Sequence, residues 1–413
     1  MITQTQDNHQ KITVDILLKN AVVLCMDESY NIYEPGAVAI NGNTIVAVGH
    51  ESHLCDQYLP KSAIDCKGKA LLPGLINAHT HVPMTLLRGL ADDLRLDVWL
   101  MGYVMPVERE FVSPDFVRLG TKLACAEMIR SGITTFADMY YFEDDIAEAT
   151  VEAGMRACCY QTILKFPSPD AHSYEDSLAA ANTFLAKWHE HETIIPGIAP
   201  HAPYTCTDEI MHASIQLARQ YDAPIHIHLA ETALEVENMR KQYGMPVIPY
   251  VKKLNLLDNK VTAAHCVHID EGEIRTLQHY NVGVAHNPSS NMKLASGIAP
   301  VHRMLQLGLN VGIGTDGTAS NNDLDMFEEM RAAALLHKGA RENPAIISAQ
   351  DVFRMATEYG ARALGFDAGT LDPGKLADVA VVGLNRPHLV PVHNIVYALV
   401  YCAKASDVET VII

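Results

Sequence analysis

The sequence predicts a TIM-type (β/α)8 barrel carrying a small composite β-sandwich domain built from both chain ends. Three observations lead there. Between about residues 71 and 365, eight short strand-like segments succeed one another, each followed by a helical or loop stretch. The flanks differ, being short alternating segments broken by Gly, Asn and Asp, the pattern of half-buried strands and tight turns. Polar residues also gather at the end of nearly every one of the eight segments. A barrel brings those ends to one rim, which a doubly wound sheet, the alternative architecture, does not.

From Ile16 to about Ile64, the segments ILLKNAVVLCM, GAVAINGNTIVAVG and SAIDCKG read as strands of the small unit. The barrel candidates then run LLPGLINAH from 71, GITTFADM from 132, MRACCYQTI from 155 and TIIPGIAPH from 193. They continue with PIHIHLA from 224, KVTAAHC from 260, NVGVAHN from 281 and NVGIGTD from 310. Between them, DFVRLGTKLACAEMIRSG and DDIAEATVEAGM place apolar residues at helical spacing and end near Gly, as helix C-termini do. GTLDPGKLADVAVVGL from 369 and the final VETVII return to punctuated β-branched runs. Residues 1–70 and 366–413 are therefore assigned to the small β domain and 71–365 to the barrel. The sequence ends on an apolar strand, so a further hairpin is expected after Ile413. The apolar segment NIVYALVYCA suits the interior of its own domain or a seam between subunits, which leaves a homo-oligomer open.

Length alone, 413 residues, allows either one large barrel or several domains, and an apolar share of 48% supplies a large core. Lys and Arg number 31 against 49 Asp and Glu, a net charge of -18. Such a surface repels phosphate backbones and anionic lipid, so no nucleic-acid or membrane partner is expected. The nine cysteines are odd in number and form no C-x-x-C pair, which speaks for reduced thiols and a cytoplasmic location. The polar start MITQTQDNHQK has no apolar region behind a basic end, and no later stretch is long and apolar enough to span a bilayer.

The sharpest local signal is His79-Thr80-His81, because residues two apart on a strand face the same way and two imidazoles can grip one ion. Alone the pair is weak, since twenty histidines make chance pairs common. His228 and His265 end the fifth and sixth candidate strands and Asp316 ends the eighth, so a barrel would converge all five side chains. His226 shares the inward face of the fifth strand but lies deeper, and is assigned a supporting place behind a ligand. Position alone leaves His286 and His201 open as ligands, while His268 falls in a loop. Nitrogen donors with one carboxylate suit Zn2+ best, with Fe2+ as a substitute, and such a site activates water for hydrolysis. Glu231, three residues past His228, could pass a proton to a ring nitrogen; its competing reading is a helix cap or first-turn acid.

With these residues in place the sequence resembles the amidohydrolase superfamily, in the branch of methylthioadenosine/S-adenosylhomocysteine deaminases and triazine hydrolases. PGLINAHTH, HIHLAET, AAHCVH, AHNPSSNMKLASG, GTDGTASNN and GTLDPGKLADVAV follow its pattern in order over essentially the whole chain. The resemblance implies a metal-dependent hydrolase barrel with one metal per subunit on His79, His81, His228 and Asp316, and His265 beside the activated water. It also implies that Trp99 and Glu108 cover the nucleoside and bind its ribose hydroxyls, that His201 contacts the purine, and that Ser320 neighbours Asp316. The bland alternatives are Trp99 as core, Glu108 as a solvated helix acid and Ser320 as a helix cap.

The implied reaction is attack of activated water on C6 of an adenine, with Asp316 taking a proton, His265 orienting the water and Glu231 protonating N1, to give the inosine analogue and ammonia. The H-x-E and P-C-x-x-C signature of the other zinc deaminases is absent. After the third barrel strand, QTILKFPSPDAHSYEDS offers only Lys165, whereas an amino-acid tail calls for bidentate arginine. Adenosine, 5'-methylthioadenosine or 5'-deoxyadenosine is thus preferred over S-adenosylhomocysteine. A triazine chloro- or aminohydrolase and a guanine or cytosine deaminase are the competing enzymes, disfavoured because neither needs Glu108 for a sugar diol. A non-catalytic interaction protein is the competing non-enzyme, disfavoured because every expected ligand is present.

Overall fold

The computed structural model describes residues 11–413. The polar start from which the absence of a leader was read lies almost wholly outside the described residues.

Two sheets organise the chain. The first contains β1 (Ile12–Leu24), β2 (Ile32–Asn41), β3 (Thr44–His50), β4 (Tyr58–Asp65) and β5 (Lys69–Pro73). The second is made of parallel strands: β6 (Leu75–Thr80), β7 (Ile133–Tyr140), β8 (Arg156–Ile163), β9 (Ile194–Pro200), β10 (Ile225–Leu229), β11 (Val261–His265), β12 (Gly283–His286) and β13 (Val311–Ile313). β14 (Val379–Gly383) and β15 (Val408–Ile412) then rejoin the first sheet, whose order is β15-β14-β5-β1-β2-β3 with β4 also paired to β1. The two chain ends therefore share one seven-stranded mixed sheet. Its faces bury separate clusters, Leu18, Val38, Leu71 and Val379 in one and Val14, Leu17, Ala39 and Leu54 in the other.

The eight parallel strands run in sequence order from β6 to β13 and form a nearly closed barrel. No ladder joins β13 to β6. Their seam is closed locally: the Asp316 amide donates to the His79 carbonyl at 2.9 Å, and Asn77 accepts from the Thr315 amide at 2.9 Å while donating to its hydroxyl at 2.8 Å. Gly314 permits this approach, since a Cβ there would fall 2.8 Å from the His79 backbone nitrogen. Small residues and one large ring fill the lower barrel, where Ile76, Ala78, Ala137, Ala199 and Ala285 surround the fully buried Tyr160.

The segment expected as a single first barrel strand from residue 71 is two strands. Leu71–Pro73 ends β5 in the small sheet, and only Leu75 onward enters the barrel. Gly74 makes the crossing, at a point where any Cβ would lie 2.2 Å from Thr134 Oγ1. The apolar segment NIVYALVYCA folds as the helix Ile395–Tyr401, whose Val396, Ala398, Leu399 and Val400 join the main core of the barrel rather than the small sheet. Beneath the barrel, Arg156 Nε donates to both oxygens of Asp378 at 3.1 Å, a buried ion pair between β8 and the residue preceding β14. Among the described residues no helix is long and apolar enough to cross a membrane.

The longest excursion between consecutive barrel strands separates β6 from β7. It holds a 3-10 turn (Val82–Leu87), a short helix (Leu96–Trp99), a π turn (Leu100–Val104), a helix (Met105–Phe111) and the helix Pro114–Arg130. Ser113 caps the last of these by accepting from the Phe116 amide. The wide π turn lies between Trp99 and Glu108, and both are buried facing the barrel mouth.

Candidate active site

The C-terminal ends of the strands converge as the sequence predicts. The imidazoles of His79, His228 and His265 form one close group and those of His79 and His81 with the Asp316 carboxylate another, each with ligand atoms within 4.8 Å of one another. Local backbone explains the convergence. His79 and His81 flank the end of β6, His228 lies on β10, and His265 and Asp316 stand at φ 73° and 64°. Left-handed backbone is uncommon for residues with a Cβ and collects at functional sites, where it re-aims side chains that would otherwise continue along the strand.

The tautomers are set from behind. Nδ1 of His81 donates to the Met139 carbonyl at 2.6 Å and Nδ1 of His228 to the His201 carbonyl at 2.8 Å. Nδ1 of His265 faces Asn291 Oδ1 at 2.9 Å, and Nδ1 of His79 faces His226 Nε2 at 2.9 Å. When Nδ1 carries the proton, Nε2 presents a lone pair, and the two carbonyls fix that arrangement at His81 and His228. His79 Nε2 is buried without a hydrogen-bond partner. Three imidazole Nε2 atoms and a carboxylate directed at one point, the His79 nitrogen unpartnered, make a donor set that fits a cation. His226, stacked 5.0 Å from His79, occupies the supporting place that the sequence assigned it.

Asp316 closes the arrangement. Its Oδ1 lies 3.4 Å from His79 Nε2 and 3.2 Å from His81 Nε2, and Oδ2 lies 3.9 Å from His265 Nε2. Ser290 donates to Oδ2 at 2.7 Å and itself meets Ser320 Oγ at 3.1 Å. Ser320 is thus one hydroxyl removed from the aspartate, and it caps no helix, since Asp325 caps the one that follows. Burial would raise the Asp316 carboxyl, but the neighbouring imidazoles of His79 and His81 outweigh it and hold it well below the usual range. Burial keeps His79 neutral, at about 4, whereas at His81 burial is outweighed by Asp316, which lifts the ring to about 9.

Two more carboxyl groups face the same cavity. Glu231, 4% exposed, places Oε2 3.8 Å from His265 Nε2 and accepts from Ser296 Oγ at 3.1 Å. The reading of Glu231 as a helix acid fails here: Thr232 caps the helix Ala233–Tyr243 and Glu235 is its first-turn acid, accepting the amides of Ala230 and Glu231. Burial raises the Glu231 carboxyl above its ordinary value. Glu108, 3% exposed, is no solvated helix acid either; Tyr140 Oη donates to it at 2.7 Å and burial raises it as well.

The cavity is open at its mouth, with Trp99, Met105, Tyr204 and Leu294 among its apolar walls. His201 lines it, neutral because burial depresses the ring to about 3, and holds Thr205 Oγ1 at 2.9 Å. Of the two histidines left open by sequence, His201 faces the cavity and His286 does not; His268, read as a loop residue, also lies elsewhere. His286 pairs with His337 at 3.2 Å and His268 with the Ser296 carbonyl at 2.6 Å, neither within the cluster. Sequence reasoning missed Ser290, Asn291, Ser296 and Tyr140. Three of them sit in AHNPSSNMKLASG, a polar run after the seventh barrel strand, which was the available signal.

Comparison with known proteins agrees with this geometry. The amidohydrolase family pattern matches residues 70–413. The 5-methylthioadenosine/S-adenosylhomocysteine deaminase of Syntrophobacter fumaroxidans is 46% identical over 401 residues, 97% of this chain and 91% of that one. The 5'-deoxyadenosine deaminase of Methanosarcina mazei is 43% identical over 401 residues, again 97% and 91%. An adenosine deaminase from Xanthomonas campestris with bound zinc superposes with a TM-score of 0.96 at 39% identity, covering 98% of this chain and 92% of that one. A zinc complex of an atrazine chlorohydrolase from Arthrobacter aurescens gives 0.90 at 26%, covering 96% and 94%. With the family pattern spanning the barrel and relatives of this identity along nearly the full length, the chain belongs to the amidohydrolase family.

Proposed function

We propose that this chain is a zinc-dependent aminohydrolase that converts the adenine of a nucleoside with a small 5' group into the hypoxanthine of its inosine analogue, releasing ammonia. One observation carries the proposal: a single cavity holds a ring of inward imidazole acceptors, a buried acid beside them in Glu231, and a second buried acid across the mouth in Glu108. Deaminase relatives at 42–46% identity support the reaction class.

His79, His81, His228 and Asp316 would hold the ion, and His265 would face the reacting water. Zinc bound there supplies a Lewis acid that brings the pKa of water toward neutrality, and iron(II) is a chemical substitute. Asp316, fixed by Ser290, accepts the proton that water loses on attack at C6 and passes it to the amino group, which leaves as ammonia as the C6–N bond breaks. Glu231, whose carboxyl burial raises above its ordinary value, donates to N1, so that negative charge does not accumulate on the ring. His265, braced by Asn291, directs the oxygen toward C6. Trp99 covers the base, His201 contacts the purine, Ser320 supports Asp316 through Ser290, and Glu108 accepts from the ribose hydroxyls.

Among the described residues no Lys or Arg lines the cavity. Lys165, the only cation in the loop after β8, donates to the Tyr204 carbonyl at 2.7 Å. Both facts support adenosine, 5'-methylthioadenosine or 5'-deoxyadenosine over S-adenosylhomocysteine. All nine cysteines are free thiols, in keeping with a cytoplasmic enzyme. The test is incubation of zinc-loaded protein with these four nucleosides and with atrazine, following adenine absorbance and released ammonia. Ammonia from the first three, with little from the fourth and no turnover of atrazine, is the expected outcome. Turnover of atrazine alone by a fully metallated protein would sink the nucleoside assignment.

A further inference from the structure

We propose that Tyr140 sets the preference for a sugar carrying both the 2' and 3' hydroxyls over its 2',3'-dideoxy form by fixing Glu108 as the acceptor for that diol. The proposal rests on the reading of Glu108 as the sugar-binding acid. Glu108 is 3% exposed, and the side chain that bonds it at 2.7 Å is a neutral phenol rather than a cation. An ionised carboxylate offers about four lone-pair sites. The Tyr140 hydroxyl occupies one on Oε1 without neutralising the charge, which leaves the rest for a pair of vicinal hydroxyls. A lysine or arginine in that place would instead compete for the sugar's acceptor.

The phenol is itself held firmly. Its ring is 3% exposed, and the Tyr140 amide donates to Glu143 Oε1 at 2.7 Å. The preceding residue, Met139, gives its carbonyl to His81 Nδ1. One strand end therefore orients both an inward imidazole and the sugar acid, and fixes the distance between them. Burial pushes the Tyr140 phenol well above its ordinary value, so it stays a donor across the working pH range. Tyr141, beside it in the cavity wall, faces the same carboxyl.

A hydrogen bond to a charged group is worth about 10- to 100-fold in binding. Tyr140→Phe keeps the buried ring and removes only the donor. The experiment compares kcat and KM of zinc-loaded wild type, Y140F and E108Q on adenosine and 2',3'-dideoxyadenosine, with calorimetric Kd values for inosine and 2',3'-dideoxyinosine as a readout independent of turnover. The expected result is a ribose-to-dideoxyribose preference that falls about 10- to 100-fold in Y140F, chiefly through KM and Kd, and collapses in E108Q. An equal loss on both sugars in Y140F would make Tyr140 merely structural and overturn the proposal. An unchanged preference in Y140F with a collapse in E108Q would overturn it while leaving the sugar role of Glu108 standing. An unchanged preference in E108Q would overturn both.

Discussion

At the C-terminal end of the barrel strands, His79, His228, His265, Glu231 and Asp316 are all 6% exposed or less, and their inward atoms face one another across a cavity. At the opposite end the buried charges of Arg156 and Asp378 meet each other directly. The backbone differs in the same sense. Left-handed residues at the upper rim include Ala230, His265, Cys266 and Asp316, whereas on the approaches to the strands most are Gly or Asn, as at Gly132, Gly154, Asn255, Asn281 and Gly308, with Glu190 and Asp222 as exceptions. Glycine and asparagine adopt that conformation at little cost, while other residues cost about 1–3 kcal/mol each. The lower end is thus built for stability. The upper end carries strain and unpaired polar atoms that stability alone would remove, and that is the mark of a site.

The comparison breaks most easily at the top. Asp316→Ala should cost about 10⁴-fold or more in kcat/KM and strip the zinc, read by elemental analysis beside turnover. A variant that kept both would show that the carboxylate is mere packing. Glu231→Gln should lower kcat by about 10²- to 10⁴-fold with zinc content unchanged, and parallel loss of metal would instead make Glu231 a support for the ligands. The bottom should respond oppositely. Arg156→Ala leaves Asp378 buried and unpaired, so denaturant unfolding should show a loss of about 3–5 kcal/mol while kcat/KM of the folded fraction stays within about twofold. Reduced turnover per folded molecule would mean that the two ends are coupled.

The smallest effect is a slope with pH. Glu329, under the upper rim, accepts from Asn321 Nδ2 at 3.0 Å and the Ser289 amide at 3.2 Å, and burial raises it from 4.5 to about 8. A raised acid favours the folded state while protonated, so its contribution is whole at low pH and drains away as pH climbs from about 4.5 through about 8. Thermal unfolding followed across that range should weaken in wild type, and Glu329→Gln should flatten the slope. An identical slope in the variant would place the titration elsewhere.

Much of the upper rim was legible because strand ends are short, periodic and polar. H-x-H on one strand, and His or Asp closing three others, can converge only in a barrel. The supports were not legible, since Asn291 acts from the short helix Pro288–Lys293 and Ser296 from the loop that follows it, and no local pattern distinguishes them from ordinary turn residues. Glu231 was ambiguous for a related reason: an acid near a helix start reads as a first-turn residue until Thr232 and Glu235 are seen to fill those places. The first barrel strand was misread because LLP and LINAH are one apolar run in sequence, and only the Pro73-Gly74 crossing divides them. The C-terminal helix escaped because its apolar run is too short for periodicity to separate helix from strand.

The seam between β13 and β6 has one further consequence. His79 and His81 stand on one lip of that gap and Asp316 on the other, bridged by the Asp316 amide and by Asn77. The donor set is therefore a clasp, complete only once the last strand has found the first. A half-folded chain has the imidazoles but not the carboxylate, so an ion taken up from a scarce supply selects chains whose circle has already closed.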